Sequence, residues 1–74
     1  MAILKVKGDI TGLVSEIFCQ LGDHVNEDDI LLEVESMKML VPLMAPEDGV
    51  VKEILVKPGD QLVAGDVAVI LEVK

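Results

Sequence analysis

Glu35-Ser36-Met37-Lys38-Met39 sits at the midpoint of the chain and decides how the rest is read. Ile30-Leu31-Leu32-Glu33-Val34 runs into it, and Leu40-Val41-Pro42-Leu43-Met44 runs out. Both flanks are aliphatic runs of strand length, which predicts two strands joined by a short turn. Lys38 is the only cation between Glu27 and Lys52, a window that holds seven acids. A lysine placed between two strands belongs on their connecting turn. There its amine reaches water, because burying an unpaired ammonium is costly. Pro42 interrupts the second run, so its position must need no backbone donor, as at a sheet edge or the start of an exposed hairpin.

Moving outward from this centre, the chain matches itself when slid by 37 positions. Gly12 falls on Gly49, Val14 on Val51, Glu16 on Glu53, Ile17 on Ile54, Gly22-Asp23 on Gly59-Asp60, Asp29 on Asp66 and Glu35 on Glu72. Leu13/Val50, Phe18/Leu55, Val25/Leu62, Ile30/Val67, Leu32/Val69 and Val34/Leu71 keep apolar character. No gap is needed, so the chain reads as one domain of two half-repeats, 1–37 and 38–74.

Each half reads as four short strands. Ile3 to Val6, Leu13 to Cys19, Val25, and Ile30 to Val34 match Leu40 to Leu43, Val50 to Val56, Leu62-Val63, and Val67 to Leu71. Gly22-Asp23 and Pro58-Gly59-Asp60 are turn signals: glycine allows positive φ, proline presets φ, and aspartate can bond nearby backbone. The Asp28/Gly65 pair marks a left-handed position, which aspartate tolerates better than most residues. No helical stripe competes. The expected fold is all-β: eight strands in two pseudo-symmetric sets of four. Lys38 opens the second copy and is the mate of Met1, while Met37 is the mate of Lys74. A two-fold between the copies therefore puts the Lys38 turn at one end of the domain and the termini at the other.

Composition narrows the function. A 74-residue chain buries only about 60% of the surface that its unfolded form exposes, so its core must be economical. Phe18 is its only aromatic residue, and Cys19 its only cysteine, so no internal disulfide forms. Fourteen acids against six lysines give a net charge of −8, which argues against nucleic acid and anionic membranes as partners. The charge suits solubility and long-range attraction to a basic partner. No signal peptide or spanning segment is visible, and the free cysteine fits a cytoplasmic protein. No nucleophile–base pair or metal set suggests an enzyme. His24 aligns with Gln61 and reads as exposed polar; Cys19 aligns with Val56 and reads as a small buried apolar residue.

Glu35-Ser36-Met37-Lys38-Met39 resembles the attachment motif of biotinyl domains, which carry biotin on a lysine between two methionines. Related lipoyl domains share the fold but usually place an acid before the lysine and a small residue after it. The resemblance covers the whole chain and implies a flattened antiparallel β-barrel or sandwich of two four-stranded sheets, with the lysine between the fourth and fifth strands. It implies that Lys38 is the point of covalent biotin attachment, with Met37 and Met39 contributing to partner recognition and Glu35 contacted by the ligase. Packing of the turn is an equal reading for the methionines, and a solvated strand residue an alternative for Glu35. Ser36 stands where the family commonly has alanine or serine.

The resemblance also implies partners. A biotin protein ligase would form the amide, because an ordinary exposed lysine amine is protonated and a poor nucleophile at neutral pH. A biotin carboxylase would load the carboxyl group and a carboxyltransferase would pass it on, with the domain itself monomeric. Lipoate on Lys38, or an unmodified interaction module, are the alternatives. No Ala/Pro-rich linker precedes the domain, which reads as a short free-standing carrier or a domain excised from a longer protein. The short Leu21-Gly22-Asp23 loop leaves no room for the protruding thumb that some acetyl-CoA carboxylase carriers insert.

Overall fold

The computed structural model describes residues 1–74 and contains eight strands and no helix. They are β1 (Ala2–Lys7), β2 (Gly12–Ile17), β3 (His24–Val25), β4 (Ile30–Ser36), β5 (Met39–Met44), β6 (Gly49–Ile54), β7 (Gln61–Leu62) and β8 (Val67–Val73). Each strand of the second set begins and ends 37 residues after its counterpart in the first. All strand pairs are antiparallel, in two sheets of order β1-β8-β6-β3 and β5-β4-β2-β7. Each sheet takes two strands from each half, so neither half can complete a sheet alone.

Strand ends depart from the sequence expectation where pairing decides them. β4 and β8 run on to Ser36 and Val73 because partners oppose them there, Met39 and Ala2 respectively. β2 stops at Ile17 rather than Cys19, and β7 is Gln61–Leu62 rather than Leu62-Val63. Pro42 lies on β5, an edge strand, as its missing donor requires.

The turns follow one rule. Gln20–Asp23, Asn26–Asp29, Lys57–Asp60 and Val63–Asp66 each carry positive φ at the third residue: Gly22 (87°), Asp28 (73°), Gly59 (93°) and Gly65 (96°). In each, the final aspartate N–H donates to the carbonyl of the first residue, at 2.8–3.1 Å. The aspartate Oδ2 accepts in return from the first residue's N–H, at 2.8–3.2 Å. Two further clasps obey the repeat without sharing a residue type. Ala64 N–H donates to Thr11 Oγ1 (2.9 Å), and its fold-mate Glu27 N–H donates to Asp48 Oδ1 (2.7 Å).

One core of fifteen buried residues fills the space between the sheets. Six repeat-related pairs supply most of it, including Val14/Val51, Leu32/Val69 and Val34/Leu71. All are aliphatic, so small side chains interdigitate without needing a polar partner. No buried side-chain polar atom lacks a hydrogen bond.

Gly12 and Gly49 are identical in the repeat because the backbone of the facing strand leaves no room for a Cβ. One added to Gly12 would collide with the Glu35 carbonyl, and one added to Gly49 would lie 2.8 Å from the Glu72 carbonyl oxygen. The β2–β4 approach thus fixes β4 three residues ahead of Lys38. The hairpin and the termini occupy opposite ends of a body 36 Å long and 18 Å wide. β5 leads away from Lys38, and Glu47 and Asp48 beyond its far end line a surface hollow together with Met1 and Lys74.

Gly12→Ala is expected to lower stability by about 1–3 kcal/mol, the usual cost of overpacking, as measured by urea unfolding. A loss under about 0.5 kcal/mol, that of an ordinary surface change, would show that the strands can separate freely. Cys19 offers a pH test. Burial pushes its thiol above the ordinary value, and the Asp23 carboxylate adds to the shift. The folded thiol thus keeps its proton at a pH where the unfolded thiol has lost it. Its contribution to stability is complete below the unfolded value and is lost as pH rises through the folded one. Cys19→Val, which installs the residue of the other half, is expected to remove that alkaline decline in melts while leaving neutral-pH stability nearly unchanged.

Candidate functional site

β4 and β5 form a hairpin whose last pair is Ser36 with Met39. Two residues remain to reverse the chain: Met37 at φ 51° and Lys38 at φ 66°. Positive φ at both central positions is what a two-residue hairpin of this hand demands, and Asn-Gly is the usual answer. A side chain held in the left-handed region costs roughly 1–2 kcal/mol. Nothing in the local packing offsets that cost. Met37 is 92% exposed, and Met39 is 66% exposed. Lys38 is exposed and takes part in none of the side-chain hydrogen bonds of the fold. Its amine stands clear at the crest, on the one hairpin that joins consecutive strands.

The other residues singled out by sequence fall around it in a definite order. Glu35 is exposed on the outer face of its sheet, opposite Leu40 on β5 and Leu13 on β2. Ser36 is half-buried where the hairpin closes. His24 is exposed on β3, opposite Val50, and Cys19 is buried; neither adjoins the crest. No three His, Cys, Asp or Glu side chains converge on a metal-sized site. Leu13 and Leu40, both at least half exposed, flank Glu35 on the outer face. Sequence reasoning missed this pair as neighbours, because only the cross-strand register sets Leu13 beside Glu35.

The arrangement supplies a primary amine on an exposed, sterically clear turn, held at the end of a rigid two-sheet body. An amide to a carboxylic-acid cofactor needs no enclosing pocket, only that free amine and clearance for a second protein to reach it. Both are present.

Comparison with known proteins agrees. The biotin/lipoyl family, described as biotin-requiring enzyme, matches residues 5–71. A biotinylated protein TB7.3 homolog of Mycobacterium leprae is 35% identical over 66 residues, covering 89% of this chain and 93% of that protein. The dihydrolipoyllysine-residue acetyltransferase component of the Haemophilus influenzae pyruvate dehydrogenase complex is 42% identical over 59 residues, covering 80% of this chain but 10% of that protein. Among solved structures, the Kluyveromyces lactis urea carboxylase superposes with a TM-score of 0.92 at 29% identity, over 97% of this chain and 6% of that one. The lipoyl domain of the Azotobacter vinelandii 2-oxoglutarate dehydrogenase complex superposes with a TM-score of 0.71 at 27% identity, over 84% and 78%. Fold and relatives together define a small cofactor-attachment domain. The chain belongs to the biotin/lipoyl attachment family. It matches the acetyltransferase and the urea carboxylase as one small part of much longer proteins.

Lys38→Gly is expected to raise stability by about 0.5–1 kcal/mol. Relief of the left-handed cost outweighs the added freedom of glycine in the unfolded chain. Urea unfolding reads the difference, and a loss of stability would mean that the Lys38 side chain supports the turn.

Proposed function

We propose that this chain is a biotin carboxyl carrier domain, with biotin amide-linked to Lys38. The observation that carries the reading is the crest itself: a methionine-flanked lysine at positive φ, held where turn stability alone would favour other residues. The relative that this chain spans almost end to end bears the name of a biotinylated protein, which supports biotin in particular. The high structural similarity to urea carboxylase and to a long-chain acyl-CoA carboxylase (TM-score 0.87, 26% identity) supports a carboxylase as the setting.

On this reading Lys38 is the substrate of a biotin protein ligase. The ligase deprotonates Nζ, which attacks the acyl carbon of biotinyl-adenylate. The amide N–C bond forms, AMP leaves, and the lysine's positive charge is removed. Met37 and Met39 give partners a flexible, polarizable contact surface, and Glu35 is the acid that the ligase meets on β4. Bound biotin supplies a ring nitrogen that accepts a carboxyl group at a biotin carboxylase and yields it at a carboxyltransferase. The domain's own part is to hold the attachment point outward and rigid. Its termini, at the far end, leave any tether clear of the two enzymes. Tethering raises the effective concentration of the carried group to roughly mM for short linkers. We place this carrier in the cytoplasm as a monomer.

Lipoate on the same lysine is the second reading. It is favoured by the acetyltransferase relative, whose identity of 42% exceeds the 35% of the biotinylated one over a slightly shorter stretch, and by the lipoyl-domain structure. Intact mass separates the two, since the acyl groups differ in mass. Co-expression with a biotin protein ligase is expected to yield a single biotin adduct. Lys38→Arg is expected to yield none. Labelling of the arginine variant would move the attachment site to Lys5, Lys7, Lys52, Lys57 or Lys74. Lipoylation in place of biotinylation, with both ligases supplied, would overturn the assignment of cofactor.

A further inference from the structure

The pseudo-two-fold gives this protein an internal control: two outer sheet faces on the same backbone, only one of which leads to Lys38. Register fixes what each face presents. On the sheet that carries the hairpin, Leu13, Glu35 and Leu40 form one row across β2, β4 and β5, and Glu16, Glu33 and Pro42 form the next. On the other sheet the matching rows are Val50, Glu72 and Ile3, then Glu53, Ile70 and Lys5. The faces have diverged in one direction. Where the second sheet has Lys5, Lys7 and Lys52, the hairpin sheet has Pro42, Met44 and Ser15, and Ile70 is replaced by Glu33. The face leading to Lys38 thus holds three acids and no base in these two rows.

This divergence opposes stability. Glu16 and Glu33 are directly opposite each other across β2 and β4, where like charges destabilise a sheet. The equivalent pair, Glu53 and Ile70, carries no such repulsion. Leu13 and Leu40 in the adjoining row are 50% and 55% exposed, and that row lies one pair from the Ser36–Met39 pair that closes the hairpin. Glu33 lies three residues from the hairpin's closing pair, about 10 Å at the rise of a strand.

We propose that the outer face of β2, β4 and β5 is the docking surface for the ligase that acylates Lys38, and that it meets a basic surface of that enzyme with an apolar margin at Leu13 and Leu40. The inference rests on the reading of Lys38 as the attachment point. Charge complementarity selects the occupant: an acidic face repels a second copy of this chain, itself at −8, and attracts a cationic one. Continuity with the crest selects an enzyme acting at the lysine. The paired acids steer the encounter, and Leu13, Leu40 and the methionines are covered once it forms.

The test uses the full chain, a bacterial biotin protein ligase, biotin and ATP. Glu16→Gln/Glu33→Gln is compared with the control Glu53→Gln/Glu72→Gln, which removes the same charge from the opposite face, at the mates of Glu16 and Glu35. The first double variant is expected to raise the ligase KM for the domain about fivefold at low salt, with kcat little changed, and to flatten the salt dependence of kcat/KM. Its thermal melt is expected to be unchanged or higher, since a repulsive pair is gone. The control is expected to change KM less than about twofold, an effect of net charge alone. Equal effects of the two pairs, or no effect of either on a substrate that is labelled at Lys38, would overturn this docking face while leaving the attachment site intact. A wild-type domain that is never labelled at Lys38 would overturn the attachment site, and this inference with it.

Discussion

Between β4 and β5 the chain has two residues in which to reverse, and both must take positive φ. Met37 and Lys38 meet that demand at a cost that Asn-Gly would avoid. The rest of the fold is arranged so that the cost can be carried. β4 is the long inner strand of its sheet, paired on both sides, with Leu31 and Leu32 fully buried near its start. Gly12 lets β2 approach β4 within the space of a missing Cβ. A hairpin clamped this firmly at its base can hold an unfavourable turn at its tip. The strain is thus confined to two exposed residues, where it fixes the direction in which one amine leaves the domain.

The repeat explains why so small a chain folds. Two copies interleave so that each sheet is built from both, and the same turn device, an aspartate that both donates to and accepts from the residue three before it, recurs four times. Each device satisfies backbone groups locally without drawing on the core. The core is then aliphatic but for Cys19, which accounts for a composition almost without aromatic residues. The repeat also isolates the site: the fold-mates of Met37 and Lys38 are the residues at the two chain ends, so the crest is the one turn without a counterpart.

Much of this was legible in the sequence, because repeated turn chemistry is a local signal. The left-handed position at Asp28 followed from its match to Gly65, and Pro42 called for a sheet edge or the start of an exposed hairpin, of which the edge is what β5 occupies. What stayed hidden depends on cross-strand neighbours. The identity of Gly12 and Gly49 was plain, but its cause is the backbone of the facing strand. Thr11 and Asp48 perform one task with different side chains, so their match could not be seen as a match. The strained pair at the crest carries no turn residue to announce it. The acidic outer face emerges only when register sets Glu16 opposite Glu33.

The central claim is that the turn, and not mere exposure of a lysine, defines the site. The double exchange Lys38→Met with Met39→Lys tests it most directly, since composition and net charge are unchanged. It moves the amine from the crest to the first residue of β5, where the Cα–Cβ vector points elsewhere. The measurement is the initial rate of biotinylation by a biotin protein ligase, with thermal melts as the folding control. The account predicts melts within about 1 kcal/mol of wild type. It predicts a rate lower by a factor of about 100, the cost of misplacing a reacting atom by ~1 Å. Equal rates with equal melts would contradict it, and would show that the ligase reads only an exposed lysine near the end of a hairpin.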